Sequence, residues 1–203
     1  MSRQVRPGAI VTGRELVSVT GVPLRVPDPA FLTHLQFRRF AGCPVCNVHL
    51  RSFVHRHDEI SAAGVREVVL FHSPADELRE HVAGLPFAVV ADPDRQLYSE
   101  FGVESAPRAL LDPRAWWPIV RAIALSLPAV IAGRQRLPSR DPHGGRLGLP
   151  ADLLIASDGR VLAAKYGEHV DDQWSVDDLV TLARHATATA SATTARSASS
   201  IAA

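Results

Sequence analysis

Leu35-Gln36-Phe37-Arg38-Arg39-Phe40-Ala41-Gly42-Cys43-Pro44-Val45-Cys46 decides the fold and holds both cysteines of the protein. Residues 35–40 form an apolar, strand-like run. Residues 45–63 are helix-like, with Cys46, Leu50, Phe53, Val54, His57 and Ile60 recurring at helical spacing. The junction between the two runs predicts Cys43 at a helix N-terminus. Unpaired N–H groups and the helix dipole favour an anion there, which lowers a thiol pKa. Pro44 suits the first helical position, where a missing N–H costs nothing. A spacing of three brings Cys46 onto the same face as Cys43, within reach of a disulfide. Cys46 continues the buried stripe and Cys43 sits at its open end. The expected pair is an exposed attacking thiolate and a shielded resolving thiol. Two blander readings stand beside it. The cysteines are inert core residues, or they are half of a zinc site completed by His49, His55 or His57, although structural zinc sites usually draw on more than two cysteines.

The chain of 203 residues suits one domain, long enough to bury a core without disulfide staples. A formal net charge of +1 gives no electrostatic case for nucleic acid or an anionic membrane as partner. Residues 1–8 lack the apolar centre of a signal peptide. The longest apolar run, 122–133, is interrupted by Pro128 and is too short to span a bilayer. The expected location is cytoplasmic, where a vicinal dithiol is more often catalytic than structural.

Working outward, residues 16–19 and 22–26 alternate around Thr20-Gly21 and read as a hairpin. Beyond the dithiol one long helix is expected to Gly64. The run Val68-Val69-Leu70-Phe71 reads as a strand buried on both faces of a parallel sheet. Ser73 then caps a helix, with Pro74 at its first position. Residues 87–90 form another buried strand, and Asp92-Pro93 opens a further helix. Residues 106–149 break the rhythm and read as an insertion. Within it, 115–132 is one kinked helix or two short ones interrupted by Pro118 and Pro128, and 134–148 is a loop. The insertion packs on the core, or it serves as a lid or substrate wall over the dithiol. Two strands around Ser157-Asp158-Gly159 form a closing hairpin. Ser175 opens a last helix with a capping-box pattern. Residues 187–203, rich in Ala, Ser and Thr, read as a disordered tail behind a single domain of residues 1–186. The order is α/β: a central mixed sheet flanked by helices, with an N-terminal hairpin and a helical insertion before the closing hairpin.

At this point the chain resembles the peroxiredoxin-like branch of the thioredoxin superfamily, the alkyl hydroperoxide reductase and thiol-specific antioxidant group. Residues 37–46 look like its approach to the active site. Residues 68–73 and 85–93 look like its next two strands, and residues 149–167 like its closing hairpin. The resemblance implies a thioredoxin-like fold, with Cys43 as attacking and Cys46 as resolving thiol. It implies a cis-proline at Pro150, facing the dithiol, with the Leu149 backbone free to pair with a substrate or partner strand. Family members carry threonine or serine three residues before the attacking cysteine and proline seven before it; here Phe40 and Gln36 stand there. The C-x-x-C also resembles a subgroup that includes prostamide/prostaglandin F synthase, which points to bulky lipid peroxides.

Arg38 or Arg39 is expected to lower the thiol pKa by its charge, but only one of them, because strand neighbours alternate. His49, one turn beyond Cys46, reads as a packing histidine before an acid–base one, and His72 and Trp174 read as structural. The function expected is a thiol-dependent oxidoreductase that reduces a small peroxide or a disulfide through a reversible Cys43–Cys46 disulfide. A thioredoxin-type or other dithiol reductant would reset it, with no cofactor or metal required. The alternative is a non-catalytic thioredoxin-like binding module, with Trp116-Trp117 in its partner surface.

Overall fold

The computed structural model describes residues 3–82, 84–132 and 141–201. Its centre is a five-stranded sheet. In chain order the strands are β3 (Leu32–Phe37), β4 (Val65–Phe71), β5 (Ala88–Ala91), β6 (Ala151–Ile155) and β7 (Val161–Tyr166), and their spatial order is β5-β4-β3-β6-β7. β3 runs parallel to β4 and antiparallel to β6, and β7 closes the sheet as the second arm of the expected hairpin. The separate N-terminal hairpin is β1 (Arg14–Val17) against β2 (Pro23–Val26). Its end is tied to β5 by a 2.8 Å bond from Val19 N–H to the Val89 carbonyl. The outer edge of β7 is covered by the N-terminal segment, through bonds such as Gly8 N–H to the Val161 carbonyl. An open strand edge invites pairing with other chains, and these bonds cover its start at Val161.

Alternation along the strands divides the core in two. Leu35 and Phe37 of β3, Val68 and Leu70 of β4, and Leu153 and Ile155 of β6 pack on one face with Tyr98 and Phe101. Val69 and Phe71 of β4 and Leu154 of β6 pack on the other with Phe53, Ile60 and Leu179. The second face is covered by α1 (Pro44–His55), α2 (His57–Ala62), α3 (Ala75–Val82), α6 (Pro113–Ile131) and α7 (Val176–Ile201). Two short helices, α4 (Gln96–Glu100) and α5 (Arg108–Leu111), complete the set. Among the described residues no helix is long and apolar enough to cross a membrane.

Several local expectations shift. The strand before the dithiol starts at Leu32 and ends at Phe37, so Arg38–Ala41 lead into the site rather than lying in the strand. The single helix expected over 45–63 is broken at Arg56, whose φ of −117° and ψ of 21° leave helical geometry. No glycine or proline announces the break. Ser73 Oγ accepts from Ala41 N–H at 2.9 Å, binding the strand exit to the start of α3. Asp92 caps α4 from a distance, accepting from the N–H groups of Gln96, Leu97 and Tyr98. The capping box at Ser175 is completed by Asp178. α6 is one helix with Pro118 and Pro128 inside it. Part of the loop expected over 134–148 lies outside the described residues. α7 continues as helix to Ile201, where a disordered tail was expected.

Candidate active site

Gly42, with φ of +75°, makes a left-handed turn that residues with side chains avoid. That turn carries the chain from β3 to α1. Cys43 N–H bonds the Phe40 carbonyl, and the Cys43 carbonyl accepts the first helical bond from Asn47 N–H at 2.9 Å. Cys43 is therefore the N-cap of α1, and Pro44 occupies its first turn. Both cysteines are free thiols.

The two sulfurs differ in their electrostatics. Burial pushes the Cys43 thiol pKa up. The hydrogen bond from Cys46, the charge of Arg39 and the N–H groups of Cys46 and Val45 outweigh burial and hold it at about 6. These N–H groups form no regular capping bond with the sulfur, but their dipoles point to where the negative charge would rest. Cys46 moves the other way: its bond to Cys43, followed by burial, pushes it well above the ordinary thiol range. At neutral pH the pair is a Cys43 thiolate accepting a proton bond from a Cys46 thiol. Cys43 is only 1% exposed, so the thiol expected at an open end is in fact enclosed. What covers it is the insertion.

A cavity of about 360 Å³ lies over Cys43. Arg39, Phe40 and Arg146 line one side, and Ile119, Ile123, Ser126 and Leu127 of α6 form the opposite wall. α6 of the insertion both lines this cavity and packs Ala115 and Ala122 into the core. Arg146, Ser126 and the α6 wall escaped sequence reading, because only the fold brings α6 over the dithiol.

Arg39 Nη1 donates to Cys43 Sγ at 3.5 Å, and Nη2 donates to the Arg146 carbonyl. Arg38 points elsewhere. It is fully buried beneath α1, where Nη2 bonds Asp152 Oδ1 at 2.8 Å and Gln36 Oε1 at 2.6 Å. Neither arginine is the solvated strand-end residue that surface placement would give. His34, Gln36 and Arg38 occupy alternate positions and share the face beneath α1, forming a polar stripe. His34 Nε2 lies 3.0 Å from Asp152 Oδ1, and Gln36 Nε2 donates to Glu67 Oε1 at 3.1 Å. Glu67 Oε2 meets His57 Nδ1 at 3.1 Å, so the stripe reaches the half-buried His57. Burial raises the Asp152 pKa, but the Arg38 charge and the His34 bond overcome that and hold it well below the usual carboxylate range.

The histidines proposed as zinc ligands have other positions. His49 packs on Phe53 with ring centroids 4.9 Å apart, and its Nε2 lies 3.3 Å from Arg38 Nη2. Burial, then the Arg38 charge, lowers the His49 pKa to about 3, so it is neutral and accepts that bond. His57 meets Glu67, and His55 is exposed. Among the described residues no three His, Cys, Asp or Glu side chains gather as metal ligands. His72 bonds the His143 carbonyl at 2.9 Å, and Trp174 packs on His34.

Two expectations about the closing hairpin are corrected. Among the described residues the cis peptide bond is Val26–Pro27, not Leu149–Pro150. The Leu149 backbone is not free either: its N–H donates to the Glu104 carbonyl at 3.0 Å, and its side chain is buried. The two ends of the insertion pair with each other: Ser105, just before it, bridges Gly148, and Ala106 N–H donates to the Leu147 carbonyl at 2.9 Å.

The model of the AhpC/TSA antioxidant enzyme family matches residues 52–169, more than half of the chain. The chain belongs to the AhpC/TSA family. The AhpC/TSA match starts beyond the dithiol, so Cys43 and Cys46 enter through the fold and their own geometry. No curated protein matches the sequence. Among solved structures, peroxidoxin BcpB from Mycobacterium tuberculosis superposes with a TM-score of 0.63 at 16% identity, over 90% of this chain and 98% of that one. A cysteine mutant of peroxiredoxin 6 from Arenicola marina gives 0.65 at 14% identity, over 92% and 75%. StoA from Bacillus subtilis gives 0.53 at 14% identity, over 87% and 98%. At such identities these likenesses establish a shared thioredoxin-like fold. The AhpC/TSA assignment makes this a redox protein with a peroxiredoxin-like scaffold and a C-x-x-C at the first helix of its core.

Proposed function

We propose that this protein is a thiol-dependent peroxidase that works through a reversible Cys43–Cys46 disulfide. The Cys43 thiolate attacks a peroxide oxygen, the O–O bond breaks, and Cys43 becomes a sulfenic acid. The Cys46 thiol condenses with it, releasing water and leaving the disulfide. A thioredoxin-type dithiol then reduces the disulfide back to two thiols. The observation that carries this reading is an ionised sulfur on the wall of a cavity that excludes large partners: Cys43, with a pKa held at about 6, is 1% exposed. A small peroxide fits that access. A protein disulfide needs sulfur-to-sulfur contact, which the α6 wall obstructs, so peroxide is favoured over disulfide as the oxidant. Leu149 packs in the same buried cluster as Cys43 and Cys46. A reducing compartment such as the cytoplasm keeps both thiols free between turnovers.

The test is stopped-flow oxidation of the reduced protein by hydrogen peroxide and by cumene hydroperoxide, with thiols counted afterwards. The expected result is loss of both thiols per chain through one internal disulfide, and none in C43S. Undiminished peroxide turnover in C43S would reject the assignment.

A further inference from the structure

His72 is a fully buried histidine that the chemistry above leaves unused. It follows β4 directly, and its backbone N–H donates to the Arg39 carbonyl at 3.1 Å. Burial outweighs the bond to His143 and, with the charges of Arg95 and Arg39, lowers the His72 pKa to about 4. The imidazole is therefore neutral at pH 7 and carries one ring proton. Nδ1 lies 2.9 Å from the His143 carbonyl, an acceptor, so the proton is on Nδ1. Nε2 is buried without a partner, which leaves the bond to His143 as the ring's one hydrogen bond. That bond holds a loop against the site. A Cβ on Gly144 would come within 2.6 Å of Nδ1, and one on Gly148 within 3.1 Å of Nε2 and 3.7 Å of Arg39 Cγ. The loop backbone thus lies against both nitrogens of the imidazole. Between these two contacts is Arg146, whose carbonyl accepts from Arg39 Nη2. The other terminal nitrogen of that guanidinium, Nη1, is the one 3.5 Å from Cys43 Sγ. The far end of the loop has its own tie, the bridge between Ser105 and Gly148. The near end has the bond to His72 and one further contact, His143 Nε2 at 3.1 Å from the Pro93 carbonyl, which is exposed. A hydrogen bond shielded from water is electrostatically the stronger of two such ties.

We propose that His72 is a positioning residue for Cys43: its Nδ1–H fixes the loop at His143, so that the Arg146 carbonyl holds the Arg39 guanidinium against the sulfur. This rests on Cys43 being the reacting thiolate, and it names what keeps the charge in place beside it. The groups that set the Cys43 charge are Cys46 and Arg39. His72 acts on the second of them, through the loop. Without the His143 bond the Arg146 carbonyl loses its near-end tether, and the long Arg39 side chain is free to turn from the sulfur toward other acceptors.

The experiment follows Cys43 alkylation by iodoacetamide against pH, read by peptide mass spectrometry, in the parent protein and in H72F, H72N and G144A. H72F keeps a ring in the space and removes the donor. H72N places an amide N–H close to the position of Nδ1–H. G144A leaves His72 intact and pushes the loop away from it. The expected midpoint is about 6 in the parent. In H72F and G144A it rises by about one pH unit, the lower end of what a close opposite charge contributes. In H72N it stays near the parent value. Because the effect runs through Arg39, H72F adds no further shift in an R39Q background. A midpoint in H72F equal to that of the parent overturns the proposal. So do equal shifts in H72F and H72N, which would make ring packing the cause. Should H72F fail to fold, G144A decides on the same terms, and an unmoved midpoint overturns the role of His72. Alkylation needs no peroxide: a parent that alkylates as expected but reduces no peroxide sinks the peroxidase reading and leaves the role of His72 standing.

Discussion

Arg39 reaches the Cys43 sulfur, with Nη1 3.5 Å from Sγ, across the single turn made by Gly42. Its other nitrogen is anchored on the Arg146 carbonyl, so the guanidinium is held by the insertion as well as by the strand exit. The positive charge is fixed beside the sulfur where a thiolate forms, and both side chains are buried.

The pH dependence of Cys43 reactivity follows from this. Its pKa is held at about 6, so the thiolate forms as pH rises through that value. Alkylation by iodoacetamide is expected to level off above pH 7 and to fall about tenfold for each pH unit below 6. Alkylation of Cys43 is read by peptide mass spectrometry in the parent protein, because replacing Cys46 would remove the thiol that bonds the Cys43 sulfur. A midpoint near 8.5, the ordinary thiol value, would show that the electrostatic account is wrong.

Replacing Arg39 by glutamine removes the nearest charge. The alkylation midpoint is expected to rise by about one pH unit, the lower end of what a close opposite charge contributes. Arg38→Gln removes a charge that faces away from the sulfur, and its midpoint is expected to stay near that of the parent. Equal shifts in the two variants would refute the division of labour.

Arg38 matters for stability instead. It and Asp152 are both fully buried and 2.8 Å apart. Removing one partner strands the other charge, so D152N is expected to lower stability by about 3–5 kcal/mol in urea titrations. The acid limb gives an independent check. The folded Asp152 pKa lies below the usual value, so the unfolded chain takes up the proton first as pH falls. Its stabilisation is present above about pH 4 and is lost below it. D152N should remove that part of the slope.

Tyr98 joins the strand exit to the core. Its hydroxyl lies 2.5 Å from the Arg38 carbonyl and 2.9 Å from the Leu70 carbonyl. Tyr98→Phe keeps the ring against Phe37 and removes only these bonds. A loss of about 1–2 kcal/mol is expected, with the cysteine pair still able to form its disulfide. A loss within error would mean that the two carbonyls find other donors.

The sequence conveys the frame because the frame is local and periodic. Val68-Val69-Leu70-Phe71 is continuous apolar text, and β4 is buried on both faces. Asp158-Gly159 marks the closing hairpin, and the C-x-x-C marks the start of α1. What stayed hidden depends on pairing at long range. Gln36, His34 and Asp152 look like ordinary strand polar residues until β3 and β6 pair and set Gln36 beside Asp152. The exposure of Cys43 was misjudged for the same reason. A helix end looks open until α6, from far along the chain, is laid over it. The break at Arg56 has no glycine or proline to mark it in the sequence.

The two sulfurs are neighbours, enclosed, and the entire thiol complement of the chain. The covalent bookkeeping is therefore binary. One internal bridge is the sole intrachain isomer available, and no scrambled pairing can trap the protein as it refolds under oxidising conditions. Crosslinking to a second copy would require a sulfur to leave its enclosure, so disulfide-linked dimers in a preparation would signal local unfolding rather than turnover.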